Sequence, residues 1–75
     1  MKKIIFDINA IISAGANVIV NAGDFTTIDL RSMAVSAKSA GVKLTVKGAS
    51  NLTTLDCRNI ASAGNHGTVT FDFSE

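Results

Sequence analysis

Phe25-Thr-Thr-Ile-Asp-Leu-Arg31 returns as Leu52-Thr-Thr-Leu-Asp-Cys-Arg58. A third, weaker copy opens the chain, where Phe6-Asp-Ile8 stands in the place of Ile28-Asp-Leu30 and Leu55-Asp-Cys57. Such self-similarity marks a short array of like units. The copies run over approximately 3–21, 25–47 and 52–73 within a single domain, 1–75.

Each full copy carries a helix start. In Thr26-Thr-Ile-Asp29 the threonine hydroxyl can accept from the amide three residues on, and the aspartate can reach back to the threonine amide. Thr53 and Asp56 repeat the pattern. Phe25 with Leu30, and Leu52 with Cys57, supply the apolar pair that staples such a start. Beyond the caps the apolar spacing is helical: Leu30, Met33, Ala34 and Ala37, then Cys57, Ile60, Ala61 and Gly64, with Ile8, Ile11, Ile12 and Gly15 in the first copy. Every helix runs into Ser-Ala-Gly, and the glycine is expected at the left-handed position that ends it. Val35-Ser-Ala-Lys38 gives the middle helix about one extra turn. The first copy has Ile4 and Lys3 where the cap and staple should stand, so its helix is expected to start late, or Lys3–Phe6 to form an edge strand.

A short strand is expected after each glycine: Asn17–Asn21, Lys43–Lys47 and Thr68–Phe73. Val18, Val20, Leu44, Val46, Val69, Phe71 and Phe73 are expected to face one way and Ile19, Thr45, Thr70 and Asp72 the other, so one sheet face is covered and the other wet. A strand every 25 or 26 residues (18, 44, 69) with a helix between suits right-handed crossovers to parallel neighbours. The expected fold is α/β: three helix–strand units, a three-stranded parallel sheet and helices on one face.

At Leu52-x-x-Leu55-x-Cys57-x-x-Ile60 the chain resembles the leucine-rich-repeat type of α/β array, over roughly residues 25–73. In that family the Leu-x-Leu portion forms the strand, whereas here the threonine caps place it in a helix. The family's asparagine ladder is missing, since Asn59 has Ser32 as its counterpart. The resemblance implies a solenoid that binds through an exposed sheet face, and implies nothing catalytic.

Composition narrows the function classes. Hydrophobic residues make up 47% and charged residues 17% of the chain, a balance far from that of disordered segments. The net charge is +1 with scattered basic residues, and neither Trp nor Tyr occurs, so there is no basic stripe or stacking platform for nucleic acid. No run approaches the ~18 apolar residues of a membrane span. Met1-Lys-Lys followed by apolar residues and Ala14-Gly-Ala16 superficially looks like an export signal, but Asp7 and Asn9 interrupt it, so the expected location is cytoplasmic. Cys57 and His66 are the only residues of their kinds, which rules out an intrachain disulfide and a His/Cys zinc cage within one chain. No cofactor is expected.

Individual residues read more simply as structure than as chemistry. Asp29-x-Arg31 and Asp56-x-Arg58 suit a capping acid beside a solvated base. The loops Asn21-Ala-Gly-Asp24 and Lys47-Gly-Ala-Ser50 precede helices, as anion sites do, but lack the glycine spacing of a nucleotide cradle. His66 lies in a polar turn without a nucleophile or acid beside it, and Cys57 holds the core position of Leu30. No nucleophile, base and orienter come together, so an enzyme is not expected.

What remains is surface. The wet face offers Asn17, Asn21, Lys43, Thr45, Lys47, Thr68, Thr70 and Asp72 as a candidate recognition face. Val18, Ile19 and Val20 form an edge without charge or proline to guard it. A chain of 75 residues with no disulfide buries little on its own. The reading is a non-enzymatic self-assembly or protein-interaction module, most simply a homodimer joined along that edge. A small anion- or ligand-binding protein using the strand-to-helix loops is the alternative.

Overall fold

A computed structural model of the chain describes residues 5–65 and 67–73. The expectations placed on Lys3, Ile4 and His66 therefore lie outside the described residues. Helices and strands alternate: α1 (Ile5–Ser13), β1 (Val18–Asn21), α2 (Thr27–Ala40), β2 (Leu44–Lys47), α3 (Thr54–Gly64) and β3 (Val69–Phe71). One turn of 3₁₀ helix, Ala22–Asp24 or Ala49–Asn51, links β1 to α2 and β2 to α3. The strands are parallel in the order β1-β2-β3, with Val18 opposite Leu44 and Leu44 opposite Val69. That register is the one expected from the spacing of the copies.

Both threonine caps form. The Asp29 amide donates to Thr26 Oγ1 at 3.2 Å, and the Asp56 amide to Thr53 Oγ1 at 3.1 Å. Phe25 and Leu52 pack against the core just before them, as staples should. Replacing Thr53 by Ala leaves a helix-start amide unpaired and should cost about 0.5–2 kcal/mol. Thr54→Ala, one exposed position along, should cost much less. Urea denaturation of both variants checks this, and Thr54→Ala as the more damaging change would mean that the helix start lies elsewhere.

The core lies between the helices and one sheet face. Ile12, Leu30, Met33, Leu44, Val46 and Ile60 are its largest fully buried side chains. The opposite sheet face is open, with Ile19 67% exposed and Thr70 exposed beside it. α2 has 14 residues against 11 in α3 and 9 in α1, the extra turn expected in the middle copy.

Several local expectations are corrected. Ile5 and Phe6 belong to α1, so the edge strand expected over Lys3–Phe6 does not form at those two residues. Gly41 ends α2 in the left-handed region at φ 71°, and Gly15 follows α1 at φ 105°. Gly64 does neither: it is the last residue of α3, and Asn65 takes the positive φ instead, at 56°. Gly64 is glycine for want of space, because a Cβ there would stand 2.7 Å from Val69 Cγ2 and 3.2 Å from Thr68 Cβ. β3 ends at Phe71, and Phe73, expected to face the core, is 60% exposed with its ring 6.0 Å from that of Phe71. Ile11 and Ala61, also expected in the core, are exposed. Cys57 is half-buried rather than buried. For Ile11, Cys57 and Ala61 the physical reason is shared: among the described residues no helix precedes α1 and none follows α3.

Candidate functional site: an open sheet edge and face

β1 is an edge strand, bonded only to β2 among the described residues. The Val18 amide donates to the Lys43 carbonyl at 3.2 Å, so Val18 turns its backbone groups toward β2. Residues alternate in a parallel ladder, so Val20 does the same, while Ile19 and Asn21 aim theirs outward. On the far side, the Leu44 amide donates to the Thr68 carbonyl at 2.9 Å and the Asp72 amide to the Val46 carbonyl at 2.8 Å. By the same alternation, Val69 and Phe71 aim their backbone groups out from β3.

The candidate recognition face is less available than its composition implies. Asn17 Oδ1 accepts from the Lys43 amide at 2.9 Å, tying the start of β1 to that of β2. Lys43 Nζ donates to the Gly67 carbonyl at 3.4 Å. Asn21 Oδ1 accepts from the Gly23 amide at 2.9 Å and shapes the turn into α2. Lys47 and Asp72 are half-buried and neither is free, and Thr68 is half-buried. Thr45 and Thr70 remain, in register with the exposed Ile19. The structure thus gathers Ile19, Thr45 and Thr70 into one row and puts Asn17, Asn21 and Lys43 to structural use.

Several amides of the strand-to-helix loops have acceptors within the chain. Those of Phe25, Ala49, Asn51 and Leu52 donate to the carbonyls of Ala22, Asp72, Gly48 and Ala49. Those of Asp29 and Asp56 donate to the caps. Gly48, at φ 66°, is one more residue than the first loop has, and a side chain on it would meet Asn21 Oδ1. Both Gly48 and the Asn21 turn are therefore explained by backbone geometry.

Burial, and then the adjacent Asp56 carboxylate, push the Cys57 thiol above its ordinary pKa. The nucleophile is the thiolate, so less of it is present at neutral pH. Thiol-reagent labelling at pH 7 should be slow, should quicken as the pH rises, and should quicken in Asp56→Asn. Rapid stoichiometric labelling of the native protein at pH 7 would contradict this. Among the described residues no group of His, Cys, Asp and Glu could hold a metal ion, and no helix is long and apolar enough to cross a membrane.

Sequence reasoning missed two sets of surface residues. Phe6, Ile28 and Leu55 hold one position in all three copies and are 77%, 75% and 62% exposed. They could have been found from the copies themselves, since each precedes the aspartate of a helix start. Ile11, Cys57 and Ala61 lie on α1 and α3, the outer helices among the described residues, a position that the local sequence pattern does not show. Compared with protein families, curated proteins and solved structures, the chain finds no match.

Proposed function

We propose that the protein is a non-enzymatic interaction module, an α/β solenoid in miniature that associates through its β1 edge with another chain, most simply a copy of itself. The observation that carries this reading is Val18-Ile-Val20, an edge strand with Ile19 exposed and no charge, proline or bulge along it. Soluble proteins guard such edges because unpaired amides and carbonyls recruit further strands. The small size of the chain supports the same reading, because association adds buried surface that 75 residues alone do not supply. The single thiol fits a reducing compartment such as the cytoplasm. Against the anion-binding alternative stands the fact that the amides of Gly23, Phe25, Ala49, Asn51 and Leu52 in those loops already have acceptors.

Sedimentation equilibrium tests the reading. An assembly heavier than 7.8 kDa at micromolar concentration is expected. Ile19→Lys should split it, and Thr45→Lys, on the inner strand's open face, should leave it intact. A monomer throughout would overturn the reading.

A further inference from the structure

The exposed core positions lie at opposite ends of the array and are complementary. Ile11, Met33 and Ile60 are counterparts in the three copies. Met33 and Ile60 are fully buried, yet Ile11 is 41% exposed. Among the described residues only α1 has no helix before it, so this position faces the preceding helix. Ile12, Ala34 and Ala61 are the next set. Ile12 and Ala34 are fully buried and Ala61 is exposed, so this position faces the following helix. Asn9 Nδ2 donates to Ser32 Oγ at 3.1 Å, which places those two residues on the facing flanks of α1 and α2. Their counterparts at the ends are Arg58 on α3 and Ala10 on α1, both exposed.

We infer that copies of this chain stack head to tail, the α3–β3 end of one against the α1–β1 end of the next. This rests on the proposed self-association and names its second surface. The interface would repeat one the fold already contains twice, α1–β1 on α2–β2 and α2–β2 on α3–β3. Val69 would stand opposite Val18 of the next copy, extending the register Val18–Leu44–Val69. Hydrogen-bond parity is kept, because the outward groups of Val69 and Phe71 would meet those of Ile19. Inner and outer sheet faces continue without a flip. Ile11 of the next copy would cover Ala61 and Cys57, as Ile60, its counterpart, shares one buried cluster with Ala34 and Leu30. Terminal units of stable arrays carry polar outer faces, and here the two ends carry Ile11 and Ala61 instead. A two-fold pairing of β1 edges would cover the first end and leave the second open. Head-to-tail contacts cover both, and unless the rotation closes a ring they build an open chain.

Complementation decides between the arrangements. Ile19→Pro blocks the β1 end, at a residue whose amide faces away from β2, and Ile11→Lys blocks the same end without touching a strand. Ala61→Arg blocks the other end at an exposed position. For the unaltered chain, sedimentation velocity should show mass rising steadily with concentration. Each variant alone should be monomeric where the unaltered chain associates. A mixture of Ala61→Arg with either β1-end variant should form a pair that grows no further. Circular dichroism of each variant confirms that it is folded. If Ala61→Arg alone forms a dimer and the mixture forms nothing more, the pairing is two-fold through β1: head-to-tail stacking falls and the proposed function stands. An unaltered chain that stays monomeric overturns both.

Discussion

Leu44→Ala should cost about 2–5 kcal/mol, the range for emptying a fully buried leucine site. Leu44 begins the central strand, is fully buried, and stands opposite Val18 on one side and Val69 on the other. A cavity there is walled by both neighbouring strands and by the helix layer, so little can move in to fill it. At roughly 0.05–0.15 kcal/mol per residue the whole chain has a stability of about 4–11 kcal/mol. The substitution would therefore remove a large share and, at the lower end, leave the chain unfolded at room temperature. Thr45→Ala, the next residue but on the open face, should change stability little. Urea denaturation followed by circular dichroism reads both, and similar midpoints for the two variants would mean that the faces of β2 are assigned the wrong way round.

Gly64→Ala should destabilise as well, by about 1–3 kcal/mol, the usual cost of overpacking. The sign is the informative part. Within a helix, alanine is ordinarily better than glycine by roughly 0.5–1 kcal/mol, so propensity alone predicts a gain. The loss is expected because the new methyl would lie 2.7 Å from Val69 Cγ2. A double variant, Gly64→Ala with Val69→Ala, should recover part of it. Gly67→Ala, by contrast, meets no atom within 4 Å and should pay only for its φ of 77°. Were Gly64→Ala to stabilise the protein, the close packing of α3 on β3 would be wrong.

Much of the fold was legible because its signals are local. A threonine three residues before an aspartate, with an apolar residue on its other side, announces a helix start without help from the rest of the chain. Alternation in Leu44–Val46 announces a strand and its buried face, and the β-branched run Val18-Ile-Val20 announces a strand. The spacing of the copies even carried the register, because like units lie side by side. Illegible features depend on what stands next to a unit. Gly41 and Gly64 both follow Ser-Ala, yet one ends its helix by its backbone angle and the other makes room for β3. Ile11 and Met33 have the same pattern around them, and only the absence of a preceding helix separates their fates. Structural duties on the open face are hidden for a related reason. Asn17, Asn21 and Lys43 are exposed and polar, yet each also bonds a backbone group of its own chain, a neighbour that the sequence pattern does not show.

The near-equal offsets between neighbouring strands, 26 and 25 residues, also bear on how such a chain could lengthen. A duplicated segment of about that length, from the start of one strand to the start of the next, would enter with its helix, cap and register already matched. Each added segment would bury two flanks and contribute no new end, so core would accumulate faster than surface. The extra turn of α2 and the extra Gly48 show where a unit absorbs a difference in length without losing the alternation of faces. Growth by whole units is thus a change in size that this architecture accommodates without redesign.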